Sequence, residues 1–369
     1  MLPLCLELQK DPVGFVANAT TATWTQLISA AREQALLGSC YYLLEDADLY
    51  QLLPEKVKNH FLSGKIYAEK QKLTILNELL QLEQIFANSG YPCVLLKGCA
   101  YRVAMMPHAR GRVFSDIDLL VPQENFPDAL KRLNNAGFLE FNMSDYDRRY
   151  YLRWSHQHPP LIHFIRHSSV DLHHHIYPVC SNENILVSPI FASAEPLVGS
   201  AFALPSKPIM FVHASVHLFY QDETHKLVKD IWDLFEIYQH TGQHSLLEII
   251  AAANDLNAQA AVFYALNVLK DFYQLPLTET DLAPLAAYAN PLQRRTMAKL
   301  LKHIFDQRSY LHRIAHLWWM IRGHLLKMGL ATLIYHSIAK SVEQAKERRN
   351  LSKMQQQEDI KNRPRDVHN

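Results

Sequence analysis

The chain has 369 residues, of which 49% are hydrophobic and 20% charged, and its formal net charge is +1. This length predicts two or three domains with an ample core, and the near-zero charge argues against a dedicated DNA-binding protein, which would be strongly basic. Five cysteines without CxxC spacing argue against a disulfide framework or a structural zinc site and indicate a reducing, cytoplasmic location. No apolar run reaches the ~18 residues of a membrane span, so none is expected.

The first ninety residues predict an N-terminal helical region, 1–90. Apolar side chains recur at helical spacing over residues 23–37 and 40–53. A longer helical pattern begins after Pro54 and continues to Ala87, where the following Ser-Gly pair provides a stop signal. The chain then changes to short apolar runs that are typical of strands.

The stretch from Cys93 to Val121 carries the strongest functional signal. Its apolar runs predict two strands, residues 94–96 and 114–121, and the second contains Asp116 and Asp118. Side chains two apart share a strand face, so both carboxylates point the same way while the alternate residues enter the core. Two neighbouring acids at a buried strand end repel each other, and a bound divalent cation, usually Mg2+, relieves that repulsion.

A third acid lies on another alternating segment, Val170–Ile176. On this segment Asp171 shares one face with His173 and His175. If the segment lies beside the strand that contains Asp116, three carboxylates converge on one site.

Helix and strand patterns alternate through this central region. Residues 122–136 predict a helix that ends at Gly137, and residues 138–141 predict a short strand. Such alternation, followed by adjacent strands, favours an α+β fold with a small mixed sheet and helices on one side. We therefore expect a core domain over 91–178, flanked by the N-terminal helices and by a C-terminal helical domain.

The remainder of the chain predicts a linker, a helical domain and a tail. Prolines and a glycine punctuate residues 179–207, which we expect to be a linker. Helical patterns follow over 208–345, and residues 346–369 form a polar tail that we expect to be disordered. In the last helical pattern, one stripe of apolar side chains is favoured as a core face over a membrane-surface helix. The stripe consists of Ile314, Leu317, Trp318, Ile321 and Leu325.

The central motifs together resemble a known group of proteins. LLKG, SDIDLLV, a helix ending in Ala-Gly-Phe at 136–138, and VDLH resemble the nucleotidyltransferase superfamily with the DNA polymerase beta-type fold. More narrowly, the chain is similar to an uncharacterised nucleotidyltransferase family of bacteria over roughly residues 70–240. It departs from the superfamily at the Gly-Ser turn that holds the nucleotide phosphates, which is here Lys97-Gly98-Cys99.

The resemblance implies transfer of a nucleoside monophosphate from a nucleoside triphosphate, such as ATP, to a hydroxyl acceptor, with release of pyrophosphate. It implies that Asp116, Asp118 and Asp171 are catalytic and hold Mg2+ or Mn2+. A lysine and an arginine near the acids suit the phosphates of the nucleotide. The residues expected to bind the nucleotide are Lys97, Gly98, Arg112 and Ser115. The acceptor stays open among a small molecule, a protein and an RNA end.

Two other functions fit parts of the sequence. The altered Lys-Gly-Cys turn suits a non-catalytic, regulatory module that keeps the fold and binds a nucleotide. A histidine-rich metallohydrolase would explain the seven histidines within residues 156–175, but it would not explain the paired acids. Because the histidine spacing matches no recognised zinc motif, we expect these side chains to hydrogen-bond the carboxylates and the sheet. Four further side chains share helix faces and either frame the nucleotide cleft or pair with each other. They are His213, His217, Asp230 and Asp233.

Overall fold

A computed structural model describes residues 2–140, 148, 155–241, 245–329 and 333 of the chain. Within these residues, fifteen α-helices surround a seven-stranded mixed sheet, and the C-terminal part is helical. The predicted α+β class with a helical C-terminal region is therefore confirmed. Most of the chain beyond residue 329, including the whole predicted tail at 346–369, lies outside the described residues. No described helix is long and apolar enough to cross a bilayer.

The helices and strands are numbered in chain order. The helices are α1 Leu4–Lys10, α2 Pro12–Asn18, α3 Thr21–Glu33, α4 Leu37–Asp46, α5 Glu55–Phe86, α6 Lys97–Val103, α7 Phe126–Asn135, α8 Ser188–Ala192, α9 Lys207–Tyr220, α10 Leu227–His240, α11 Ser245–Asp255, α12 Gln259–Tyr273, α13 Glu279–Ala286, α14 Pro291–Phe305 and α15 His312–Lys327. The strands are β1 Cys93–Leu95, β2 Asp116–Leu120, β3 Phe138–Glu140, β4 Leu161–His163, β5 Ser169–His173, β6 Glu195–Pro196 and β7 Phe202–Leu204.

The sheet has the strand order β3-β4-β5-β2-β1-β7-β6. Strand β2 runs parallel to β5, and β1 runs parallel to β7, whereas the other neighbours are antiparallel. The alternate residues of β2, Ile117 and Leu119, are fully buried, as their apolar character predicts. A slip of one residue would exchange them with Asp116 and Asp118, so this burial sets the register of the strand.

The segment 179–207, which was expected to be a linker, contributes α8, β6 and β7 to the fold. Strand β7 pairs in parallel with β1, with Cys93 opposite Phe202 and Val94 opposite Ala203. Both β7 residues are buried, so this strand extends the sheet beyond β1. The prolines and glycine of the segment therefore mark turns between short elements.

Helix α1, which lies in the predicted helical region 1–90 but matched no specific helical pattern, joins the N-terminal helices to the C-terminal ones. Gln9 in α1 is buried and donates hydrogen bonds to the carbonyl oxygen of Trp232 (3.2 Å) and to Glu236 (2.8 Å), both in α10. The hydroxyl of Tyr273 in α12 donates to the side-chain oxygen of Gln9 at 2.5 Å. One cluster of buried apolar side chains accordingly runs from the first helix to the last. The division of the chain into domains stays a prediction.

The apolar stripe that was expected in the core lies on the solvent side of α15, so that prediction is wrong. Ile314, a member of the stripe, is 61% exposed. The buried side of α15 instead carries Trp319, whose ring packs against Phe219 of α9, and Arg322. Arg322 donates hydrogen bonds to the carbonyl oxygen of Phe219 and to Gln293. The helix thus turns toward α9 the side on which the buried guanidinium finds hydrogen-bond acceptors. Apolar periodicity alone does not reveal this requirement.

Gly111 and Gly38 touch where the loop before β2 meets the start of α4. A Cβ atom at either position would overlap the carbonyl oxygen of the other glycine. We expect Gly111→Ala to lower the free energy of unfolding by roughly 1–3 kcal/mol, because the opposing atoms are backbone and cannot rotate away. Urea or thermal unfolding measures this change. The control is Gly329→Ala, whose Cβ would meet no atom of the described residues within 4 Å, and equal stability of the two variants would contradict the close contact.

Candidate functional site

The site begins at the turn from β1 into α6. The backbone N–H of Leu96 donates to the carbonyl oxygen of Asp118 at 3.0 Å, which continues the β1–β2 pairing by one residue. Lys97 then adopts a left-handed backbone conformation, with φ 47°, as the first residue of α6. Such a conformation is uncommon outside glycine and clusters at functional sites. The lysine side chain reaches β2, where its Nζ lies 2.7 Å from Oδ1 of Asp118.

Strands β2 and β5 arrange the three predicted acids. Their parallel register sets Asp118 opposite Asp171 and Asp116 opposite Ser169, so the three carboxylates share one face of the sheet. The side-chain ligand atoms of Asp118, Asp171 and His173 lie within 4.8 Å of one another, and all three side chains are buried. Asp116 is half-buried and stands outside this buried group.

The two buried carboxylates have opposite electrostatic surroundings. Burial would raise the pKa of Asp118, but the Lys97 ammonium and a 3.1 Å hydrogen bond from His173 outweigh it and hold the pKa well below its usual range. Burial and the neighbouring Asp118 charge raise the pKa of Asp171 to about 6. Gln157 donates a hydrogen bond to Asp171 at 3.2 Å. One acid of the pair is therefore ionised at all ordinary pH values, and the other takes up a proton near neutrality.

The donor set of this group fits a divalent cation. Two carboxylates that face each other on adjacent strands supply oxygen ligands. Burial and the charge of Asp118 together raise the pKa of Asp171, and a bound cation would relieve both penalties. His173 adds an imidazole, whose Nε2 lies 3.1 Å from Oδ1 of Asp118. Mixed oxygen and imidazole ligands are used by several divalent metals. The group can therefore hold a metal ion.

A cleft of about 270 Å³ is formed beside these acids. The predicted site residues that line it are Lys97, Gly98, Arg112, Ser115, Asp116 and Asp118. Asp171 is not one of its lining residues. The C-terminal helices contribute His217 of α9, Lys226 just before α10, and Lys229 and Asp230 within α10. Tyr67 and Gln71 of α5 also line the cleft, so the sheet, the N-terminal helices and the C-terminal helices build it together.

Arg112 connects the loop before β2 to α10. Its Nε donates to Oδ2 of Asp233 at 2.7 Å, and the two side chains are only 11% and 7% exposed. Its Nη1 is buried and has no hydrogen-bond partner among the described residues. An unpaired buried donor is costly, so this nitrogen is suited to an acceptor that enters the cleft.

The structure gives Gly98 a role that the sequence did not indicate. A Cβ at this position would overlap Nη1 of Arg112 and would lie 2.8 Å from the ring of Phe114. The missing side chain therefore makes room for the guanidinium that pairs with α10. Close approach of the Gly98 backbone to nucleotide phosphates stays a prediction.

Two cations of the cleft, Lys226 and Lys229, were not predicted from the sequence. Lys229 donates a hydrogen bond to the carbonyl oxygen of Val113 at 2.6 Å, and burial lowers its pKa to about 8. Burial disfavours the charged form of the neighbouring Asp230 as well, and for this acid it raises the pKa to about 6. The sequence does contain one signal for these lysines, which is helical spacing. Lys226 precedes Asp230 by four residues, and Lys229 likewise precedes Asp233. That spacing is common on solvated helices and does not point to a cleft by itself.

The histidines of residues 156–175 do not gather around one point within the described chain. His173 donates to a site carboxylate, as expected of a supporting residue. His163 uses Nδ1 to accept backbone N–H groups in the turn after β4. His175 was expected on the face of Asp171, but β5 ends at His173, and the His175 ring instead bonds to the carbonyl oxygen of Ile185 at 3.0 Å. The arrangement gives no support to a histidine-rich metal centre.

Comparison with protein-family models matches residues 20–274 to a family described as an uncharacterised nucleotidyltransferase. The matched range contains the whole sheet, helices α3 to α12 and every residue that lines the cleft. Helices α13 to α15 lie outside it. No curated protein and no solved structure matches the chain.

The raised pKa of Asp171 predicts a pH-dependent gain of stability in Asp171→Asn. Because the folded-state pKa of about 6 lies above the unfolded value, ionisation of this group destabilises the native protein as the pH rises from about 4 to 6. Above pH 6 we expect metal-free Asp171→Asn to exceed the wild type by roughly 2–3 kcal/mol in free energy of unfolding, and near pH 4 the two should converge. Urea unfolding with a chelator present across this pH range measures the difference. The control Asp128→Asn removes an exposed carboxylate and should show no such gain, and a constant offset for Asp171→Asn would refute the assignment.

Proposed function

This chain belongs to the uncharacterised nucleotidyltransferase family, and we propose that it is a metal-dependent nucleotidyltransferase. In this proposal it transfers a nucleoside monophosphate from a nucleoside triphosphate to a hydroxyl acceptor and releases pyrophosphate. The observation that carries the proposal is the pairing of Asp118 with Asp171 on adjacent strands, next to a cleft lined by cationic side chains. Nucleotidyl transfer needs both the acid pair and the cationic cleft, because the metal and the phosphates must be held next to each other.

The acidic part of the site is proposed to hold the metal. Asp116, Asp118 and Asp171 share one sheet face, and we assign them Mg2+ or Mn2+ because carboxylate oxygens suit these ions. When bound, the ion would supply charge neutralisation and polarisation at the reacting phosphate. His173 would orient Asp118 through its hydrogen bond.

The cationic part is proposed to hold the nucleotide. Lys97 neutralises Asp118 in the metal-free protein, and the same ammonium borders the cleft, within reach of a phosphate group. Arg112 offers its unpaired Nη1, and the exposed hydroxyl of Ser115 offers a further donor. Gly98 keeps space for the arginine and is proposed to bring its backbone close to the phosphates. Lys226 and Lys229 add positive charge to the cleft.

The acceptor is proposed only as a class. A small molecule, a protein hydroxyl and an RNA end all present the same nucleophile to this site. Buried thiols such as Cys93 and Cys99 suit a reducing compartment, and we propose a cytoplasmic location on that ground.

A regulatory module that binds a nucleotide without transferring it is the second candidate. It is favoured by the Lys97-Gly98-Cys99 turn, where the expected Gly-Ser phosphate loop is missing and the Gly98 position is crowded by Arg112. The two candidates share the nucleotide site and differ in chemistry, so a test of binding and a test of transfer separate them.

We expect Asp116→Asn, Asp118→Asn and Asp171→Asn each to weaken Mg2+-dependent binding of a non-hydrolysable triphosphate by about tenfold or more, because each removes an anionic ligand of the metal. Isothermal titration calorimetry with and without Mg2+ measures this. Asp128→Asn is the matched control, since this aspartate is exposed on α7 and pairs with Arg132. Unchanged affinity in all three site variants would mean that the acids are structural.

We expect the protein to transfer label from the alpha phosphate of a nucleoside triphosphate to an acceptor in cell extract. The reaction mixture contains Mg2+, and each of the four common nucleotides is tried with alpha and with gamma label. Asp118→Asn is the control and should retain no label. Transfer of gamma label alone would identify a kinase. Binding of nucleotide without any transfer would favour the regulatory module.

A further inference from the structure

The last two described helices, α14 and α15, expose an apolar surface, here called the apolar face. A groove of about 350 Å³ runs between the helices, and its apolar lining includes residues of both. The side chains of the apolar face are 41–68% exposed, apart from a half-buried tryptophan in the groove. They are Leu292, Ile314, Leu317, Trp318, Ile321 and Leu325. Exposed apolar residues are common singly, but a contiguous set on two helices marks an interaction surface.

The same two helices are strongly basic, although the whole chain is nearly neutral. Residues 290–329 contain eight Lys and Arg but a single acid, Asp306. Some of these cations are occupied, as Lys302 is by Asp271. Four others are exposed and form no ion pair with any described residue. These four are Arg295, Lys299, Arg308 and Arg313.

Three of the unpaired cations lie on the helix sides that carry the apolar side chains. Lys299 lines the groove together with Ile314 and Trp318. Arg295 is four residues before Lys299, and Arg313 is four residues before the exposed Leu317, so each pair shares a helix side. The partner of this surface must therefore offer apolar material and negative charge at the same place.

We propose that the apolar face binds the surface of a lipid bilayer that contains anionic headgroups. Apolar side chains of an amphipathic helix enter the boundary between headgroups and acyl chains, while basic residues remain at the lipid phosphates. Such a helix lies on the membrane and needs no spanning segment. A nucleic acid would use the cations but would leave the apolar side chains in water.

Two other occupants are disfavoured by charge. A symmetric contact with a second copy would bring each basic surface against its own equivalent, because the same patch serves both subunits. The chain's own residues 330–369 contain eight Lys and Arg against five Asp and Glu, so they are also basic. Neither occupant supplies the missing negative charge.

Membrane binding through this face is independent of the proposed chemistry. The apolar face lies outside residues 20–274, which match the nucleotidyltransferase family, and none of its residues lines the nucleotide cleft. Variants of the face should therefore retain metal-dependent nucleotide binding, and failure of either proposal leaves the other intact.

The test is co-sedimentation of the full chain with phospholipid vesicles. We expect binding to vesicles of phosphatidylcholine with about 30% phosphatidylglycerol, none to phosphatidylcholine alone, and loss of binding between about 0.05 and 0.5 M salt. The double variant Lys299→Glu with Arg313→Glu should lower the partition coefficient at least about 25-fold, since each basic residue contributes about fivefold. Ile314→Ser should lower it about tenfold.

Matched controls lie on α5, away from the apolar face. Lys56 and Lys70 are exposed and form no ion pair with a described residue, and Ile66 is 61% exposed, as Ile314 is. Lys56→Glu with Lys70→Glu, and separately Ile66→Ser, should leave vesicle binding unchanged. Unaltered melting temperature and nucleotide binding confirm that every variant is folded.

Several results would overturn the proposal. Absence of vesicle binding would do so, and it is the outcome expected if residues 330–369 cover the face. Equal binding to neutral vesicles, or equal losses in the α5 controls, would show that the attraction is not specific to this face. Salt-sensitive RNA binding without vesicle binding would assign the cations to a nucleic acid. A concentration-dependent dimer that Ile314→Ser dissociates would assign the face to a second copy.

Discussion

The site depends on one constraint. Two carboxylates lie directly opposite each other on adjacent, parallel, buried strands. Asp118 and Asp171 are 3% and 9% exposed, so their charges are poorly screened by water. The register cannot relax, because a one-residue slip would place Ile117 and Leu119 in the cleft and the acids in the core. The surrounding residues must therefore compensate the charge. Lys97 and His173 do so at Asp118, whereas Asp171 is left with a raised pKa.

The compensation at Asp118 extends to the rest of the fold. Lys97 reaches the acid from a left-handed first position of α6, and Gly98 behind it leaves space for Arg112. Arg112 in turn forms a buried ion pair with Asp233 in α10. Removing one partner of such a pair leaves an uncompensated buried charge, so the sheet and the C-terminal helices are held in one relative position around the cleft. The same contacts that neutralise the site thus also assemble it.

Basic and acidic residues are unevenly distributed along this chain, and the net charge does not show it. The formal net charge is +1, yet the 40-residue stretch that forms α14 and α15 has a large excess of basic residues. Almost all of the acids lie elsewhere, and in the cleft three of them, Asp116, Asp118 and Asp230, stand beside four cationic side chains. A near-zero net charge therefore describes only the average electrostatic field of the protein. A local basic surface with apolar neighbours can still bind a partner of its own.

The type of an element and the face that each of its side chains takes were predictable from the sequence, because they depend only on local backbone geometry. It correctly indicated the shared face of Asp116 and Asp118, the long helix α5 and the α+β class. The choice of neighbours was not predictable, because it depends on contacts between distant segments. Strand β7 emerged from an expected linker, and Arg112 found its partner 121 residues away. An amphipathic helix likewise has two faces, and the contacts of Trp319 and Arg322 with α9 place the apolar stripe of α15 toward solvent.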